Sequence, residues 1–147
     1  MKYHLAQLNI ATLREPIDSP LLADFVAQLD EINALAEQSE GFLWRLKDEE
    51  GNATAIKVFD DEPIIINMSV WETAESLKAY VYNTAHSGVM KQRTKWFEKP
   101  TTPHLVLWWI PAGNIPTPQE AKEKLLYLTQ HGETDHAFTF RHLFTKA

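Results

Sequence analysis

Residues 104–110 read HLVLWWI. A run this rich in Val, Ile and Trp, without Asp, Glu, Lys or Arg, reads as a β-strand. Side chains alternate between the two faces of a strand. Leu105, Leu107 and Trp109 therefore share one face, and Val106, Trp108 and Ile110 the other. Both sets are apolar. A sheet with one solvated face alternates apolar with polar residues, so both faces of this strand are expected to be buried. Trp108 and Trp109 must point opposite ways, and at most one of them lines any given interior.

Working outward, residues 64–71 (IIINMSVW) give the clearest second strand, and residues 3–11 (YHLAQLNIA) alternate as a first. FLWRLK, residues 42–47, is another strand. ATAIKVF, residues 53–59, is a short strand or irregular, and residues 137–144 make a last strand. Ser19 is placed as an N-cap with Pro20 at the first helical position. Leu22, Phe25, Val26, Leu29, Ile32 and Leu35 follow at three-to-four spacing, an amphipathic helix that Gly41 stops. Thr73 caps a helix to about Asn83, and a second piece covers about Ser87 to Phe97. Thr117-Pro-Gln-Glu120 is a capping box that opens a helix to about Gln130, ended by Gly132.

The order β-α-β-β-α-β-α-β predicts an α+β fold: a ferredoxin-like antiparallel sheet with helices on one face, in a single domain over residues 1–147. The second apolar face of HLVLWWI then needs a cover. The simplest is the sheet of a second subunit, which makes a dimeric α+β barrel and a homodimer, C2 being the commonest symmetry.

Composition narrows the function classes. The chain has 147 residues, 44% hydrophobic and 23% charged, with a net charge of −6. Phosphate binding wants a basic surface, so no nucleic-acid partner is expected. Without cysteine there is no disulfide scaffold, thiolate metal site or Cys nucleophile. No apolar run approaches the roughly 20 residues that span a bilayer, and the N-terminus lacks a signal peptide's apolar core. No membrane contact and a cytoplasmic location are expected.

Aromatic residues make up 11% of the chain. Polar residues fall at one parity on two strands: Gln7 and Asn9 on the first, Asn67 and Ser69 with Trp71 on the third. A mixed polar and aromatic lining in an apolar body is the make-up of a small-molecule pocket. Tyr82, His86, Val89, Arg93 and Trp96 recur at helical spacing and form one stripe if the helix is continuous. His86 is then a proton donor, hydrogen-bonding group or metal ligand at the rim, and Arg93 an anchor for an anionic group. The structural alternative makes His86 a helix C-terminal cap at the Ser87-Gly88 step and gives Arg93 a surface acid as partner. Trp44, Trp71 and Trp108 are core residues or pocket walls; if Trp44 is inside, Arg45 faces the helices or an edge. Asp48, Glu49, Glu50, Asp60, Asp61 and Glu62 read as a solvated acidic loop, and His131, His136 and His142 lack the spacing of a helical metal pair. No metal site is expected, and no G-x-S-x-G, phosphate-loop or dinucleotide fingerprint occurs.

GFLWRLKDEEGN, INMSVWETAESLKAYVYNTAH, KWFE, LVLWWIPAGNIPTPQEAKEKL and AFTF together resemble an uncharacterised bacterial family of the dimeric α+β barrel superfamily. SVWE and LWWIPAG…PT are the distinctive segments. The superfamily includes cofactor-free antibiotic-biosynthesis monooxygenases and haem enzymes, and the family is similar to spheroidene monooxygenase. The resemblance implies a monooxygenase-like oxidoreductase acting on a small hydrophobic or aromatic molecule, cofactor-free or haem-dependent, with a non-catalytic small-molecule-binding dimer as the alternative. On such a reading the helical stripe makes His86 and Arg93 the expected catalytic residues. The expected substrate-binding residues are Asn9, Trp44, Asn67, Ser69, Trp71, Tyr82, Trp96 and Trp108.

Overall fold

The computed structural model describes residues 2–15, 19–46, 64–85, 96–97 and 104–141. Within them the order is β1 (Tyr3–Thr12), a 3₁₀ turn (Pro20–Leu22), α1 (Ala23–Glu37), β2 (Phe42–Arg45), β3 (Ile64–Trp71), α2 (Ala74–Ala85), β4 (Leu105–Pro111) and α3 (Pro118–His131). The sheet order is β2-β3-β1-β4, every neighbour antiparallel. This is the ferredoxin-like arrangement with one helix added. β1 lies at the centre because its alternation offers a usable face on each side. Its register with β3 runs from Leu5 opposite Trp71 to Thr12 opposite Ile64, and with β4 from Tyr3 opposite Pro111 to Asn9 opposite Leu105.

Parity sorts the core into two layers. On one face Leu5, Trp71 and Leu107 pack with Ala36 of α1 and with Ala74, Leu77 and Tyr80 of α2. On the other, Ala6, Leu8, Met68, Val70, Val106, Trp108 and Ile110 pack with Ala121, Leu125 and Leu128 of α3. On one face of β4, Leu107 is buried between half-buried Leu105 and Trp109, and on the other Val106, Trp108 and Ile110 are buried. The cover of the second face is the chain's own α3, however, where the sequence argument placed a second subunit. Val106 and Trp108 are 0% and 1% exposed within a single chain. The helical periodicity of residues 118–131 was legible, but the side of the sheet to which they return was not.

Local chemistry sets the ends of these elements. Gly41 sits at φ +85° between α1 and β2, and a Cβ there would stand 2.5 Å from Ser76 Cβ. Only glycine accepts both the left-handed backbone and the close approach. The Gly41 carbonyl accepts the Glu72 N–H at 2.8 Å, which ties this turn to the end of β3. Thr73 Oγ1 accepts the Ser76 N–H at 3.1 Å and caps α2. Ser19 has the extended backbone of an N-cap, but its side chain makes no capping bond. Among the described residues the final strand expected over residues 137–144 reduces to two isolated bridges, Phe138 with Leu107 on the outer edge of β4 and Ala137 with Thr134; residues 142–147 lie outside the described residues. So do Lys47 and the ATAIKVF segment.

Only half of the expected capping box forms. Thr117 Oγ1 accepts the Glu120 N–H at 3.0 Å, but the Glu120 carboxylate turns inward and accepts Trp108 Nε1–H at 2.9 Å. Thr117→Ala is expected to lower stability by about 1 kcal/mol and the melting temperature by about 2–4 °C, as followed by circular dichroism. An unchanged melting temperature would contradict the capping role.

Candidate functional site

Two polar side chains, Gln7 and Ser69, are buried in the face that α1 and α2 cover, at 5% and 4% exposure. Buried polar groups need partners, and these find each other across the β1–β3 ladder, where Gln7 stands opposite Ser69. Gln7 Nε2 donates to Ser69 Oγ at 2.8 Å and to Asn67 Oδ1 at 2.7 Å. Trp71 Nε1 donates to the same Ser69 Oγ at 2.8 Å. The result is a neutral seam, Trp71–Ser69–Gln7–Asn67, laid across two strands. None of these groups ionises near neutral pH. The charged residue in the Ser69 row is Arg45, opposite it on β2, and its guanidinium pairs with Glu37 of α1 at 3.1 Å.

The register turns this face into rows. Phe42, Trp71, Leu5 and Trp109 make the first row, and Arg45, Ser69, Gln7 and Leu107 the second. Asn67, Asn9 and Leu105 make the third. The first row is sealed by aromatic packing: Trp71 stacks on Tyr80 at 5.1 Å and meets Phe42 edge-on at 5.5 Å. In the third row Asn9 and Asn67 face each other in register, and both are exposed. Beyond it the odd-numbered side of β1 ends at Leu13, buried with Leu22, Phe25 and Trp96. An exposed amide pair thus lies along β1 between two apolar clusters, to one of which α1 contributes Phe25 and to the other Ala36.

The predicted site residues divide accordingly. Asn9, Asn67, Ser69 and Trp71 come together on this face. Trp44 and Trp108 pack in the α3 layer on the opposite face, so they do not share a wall with Asn67. With Trp44 there, Arg45 faces α1. Trp96 is fully buried against Phe25 at 5.4 Å, and its indole nitrogen has no hydrogen-bond partner among the described residues. Tyr82 points outward from α2, 65% exposed. His86 and Arg93 lie outside the described residues, so of their stripe only the ends, Tyr82 and Trp96, are placed. Trp109, rather than Trp108, shares the face of the seam.

Two shallow, open grooves flank Glu120, one lined by Glu123, Lys124, Tyr127 and His136, the other by Ile110, Pro111, Asn114, Ile115 and Pro116. They lie on the α3 side, away from the seam. Tyr127 is framed there by His131 at 4.4 Å and His136 at 5.7 Å between ring centroids. Sequence reasoning missed this grouping; its signal was the four-residue step from Tyr127 to His131. Among the described residues no three His, Asp or Glu side chains gather around a common point. The seam offers amides, a hydroxyl and an indole, none of them a ligand for haem iron. No helix among the described residues is long and apolar enough to cross a membrane.

Residues 4–147 match the model of a family described as a domain of unknown function, DUF3291. No curated protein matches the chain. Among solved structures it is similar to the NE2512 protein of unknown function from Nitrosomonas europaea, with 16% identity and a TM-score of 0.49 over 78% of this chain and 96% of that one. It is also similar to SnoaB, a cofactor-independent oxygenase from Streptomyces nogalater, with 14% identity and a TM-score of 0.42 over 76% of this chain and 95% of that one. No residue role passes to this chain from either.

Proposed function

The chain belongs to the DUF3291 family, and on that premise we propose that it binds a small hydrophobic or aromatic molecule over the Asn9–Asn67 row, as a cytoplasmic, homodimeric, monooxygenase-like oxidoreductase. The observation that carries this reading is the buried seam. A packed sheet gains little from a Gln-Ser-Asn network that an apolar core would replace, whereas a ligand site needs a few fixed polar groups among apolar walls. The exposed amides of Asn9 and Asn67 hold a ligand oxygen, and half-buried Leu105 supplies apolar contact beside them. Ser69 and Trp71 fix the lining. His86 and Arg93 belong to the proposal as the proton-handling and anion-holding groups, and any haem would be held through His86.

A second reading, a non-catalytic binder, is favoured by the neutrality of the seam: no described group there handles a proton near neutral pH. Native mass spectrometry of the purified protein is expected to show one small-molecule adduct per chain, lost in Asn67→Leu, a variant that stays folded with a melting temperature lowered by the loss of an acceptor for Gln7 Nε2. An adduct that Asn67→Leu retains would contradict the placement. An absorbance scan of the Soret region decides on haem, and dioxygen uptake with the released molecule separates enzyme from binder.

Assembly is the third prediction. A homodimer should sediment at micromolar concentration with about twice the 16.9 kDa chain mass and bury roughly 2,000 Å² in total. Because α3 already covers the second sheet face, the partner would dock on the outer surface, where Leu126 and Ile115 are 47% and 61% exposed. A folded monomer at that concentration would remove the dimer from the proposal.

A further inference from the structure

Resting on the ligand site just proposed, we infer that Gln7 is a positioning residue: it fixes which end of the Asn67 amide meets the ligand, and so selects a ligand that presents a carbonyl oxygen rather than an amine. The argument is a count of donors and acceptors. Asn67 Oδ1 and Ser69 Oγ lie 2.7 and 2.8 Å from one nitrogen, Gln7 Nε2. The main-chain carbonyl of Asn67 is also directed at that nitrogen, at 3.4 Å. A carbonyl oxygen in its place would face another carbonyl, so the amide orientation of Gln7 follows.

With Gln7 set, Asn67 must turn its oxygen inward. The amide is planar, so the Nδ2 hydrogen anti to Oδ1 points away from Gln7, in the exposed third row. Ser69 reinforces this polarity. Its Oγ accepts from Gln7 Nε2 and from Trp71 Nε1, and an indole nitrogen can only donate. Both lone pairs are used, and the Ser69 proton remains to be donated. Gln7 is itself 5% exposed; it acts through Asn67 rather than on the ligand.

The test uses the full, isotope-labelled chain and two neutral probes of matched frame, 2-acetylnaphthalene and 2-aminonaphthalene, with side-chain amide signals followed by NMR. In the wild type the Asn67 Nδ2 hydrogens should exchange faster than the Gln7 Nε2 hydrogens and shift on adding the ketone. The ketone should bind about tenfold tighter, the worth of one hydrogen bond. Gln7→Glu, measured at a pH where its carboxyl is ionised, offers only acceptors, turns Asn67 over, and should reverse the preference. Gln7→Met, nearly the same size, frees the Asn67 amide and should cut the preference to within about twofold. An undiminished tenfold preference in either folded variant overturns the inference, as does a protected Asn67 amide in the wild type. Shifts at Asn9, Asn67 and Ser69 with no preference between probes overturn the inference alone. No shift there with either probe overturns the ligand site and the inference with it.

Discussion

Alanine at Trp71 is expected to lower the stability of the chain by about 4 kcal/mol. The side chain is 0% exposed, stacked on Tyr80 and edge-on to Phe42, so its removal leaves a large void at the point where β3, β2 and α2 meet. It also strands one hydrogen bond of the seam. Trp71→Phe separates the two contributions. It retains much of the packing and loses the indole N–H, at a cost of about 1–2 kcal/mol. Denaturant unfolding measures both, as a lower midpoint with an unchanged slope. A loss under about 1 kcal/mol for Trp71→Ala would mean that the aromatic cluster carries little of the fold.

Ser69→Ala removes a single oxygen atom and is expected to cost about 3 kcal/mol, well beyond the half kcal/mol or so of an ordinary surface substitution. Trp71 Nε1 loses its acceptor and Gln7 Nε2 loses one of two side-chain acceptors, keeping Asn67 Oδ1; an unsatisfied buried donor costs about 1–3 kcal/mol. The effect should be non-additive. Ser69→Ala combined with Gln7→Leu removes a donor together with its acceptor, and should cost less than the two single changes summed. Strict additivity would show that the two residues do not act as a unit.

The strands were legible where parity could be read off the chain. HLVLWWI and IIINMSVW announce their faces because side chains alternate and Val, Ile and Trp suit a pleated surface. Grouping Gln7, Asn9, Asn67 and Ser69 on one face required nothing more than that alternation. The hub role of Gln7 was not legible, because it depends on register, and register is set by pairing across about 60 residues of chain. That Trp44 and Trp108 lie on the face opposite Asn67 was not legible for a related reason. Alternation states that neighbours point apart, but not which face each helix returns to cover. The capping box at Thr117 was read correctly as a helix start. The fate of the Glu120 carboxylate was not, since nothing local indicates that Trp108 lies within its reach.

The central claim, that the face bearing the seam is where this protein meets a small molecule, is tested most directly by mapping a set of neutral aromatic fragments onto the labelled chain by NMR. The account predicts that the first and largest shifts fall on Asn9, Asn67, Ser69 and the Trp71 indole. Shifts confined instead to the Glu123, Lys124, Tyr127 and His136 groove beside α3 would contradict it, and would move the site to the other face of the sheet.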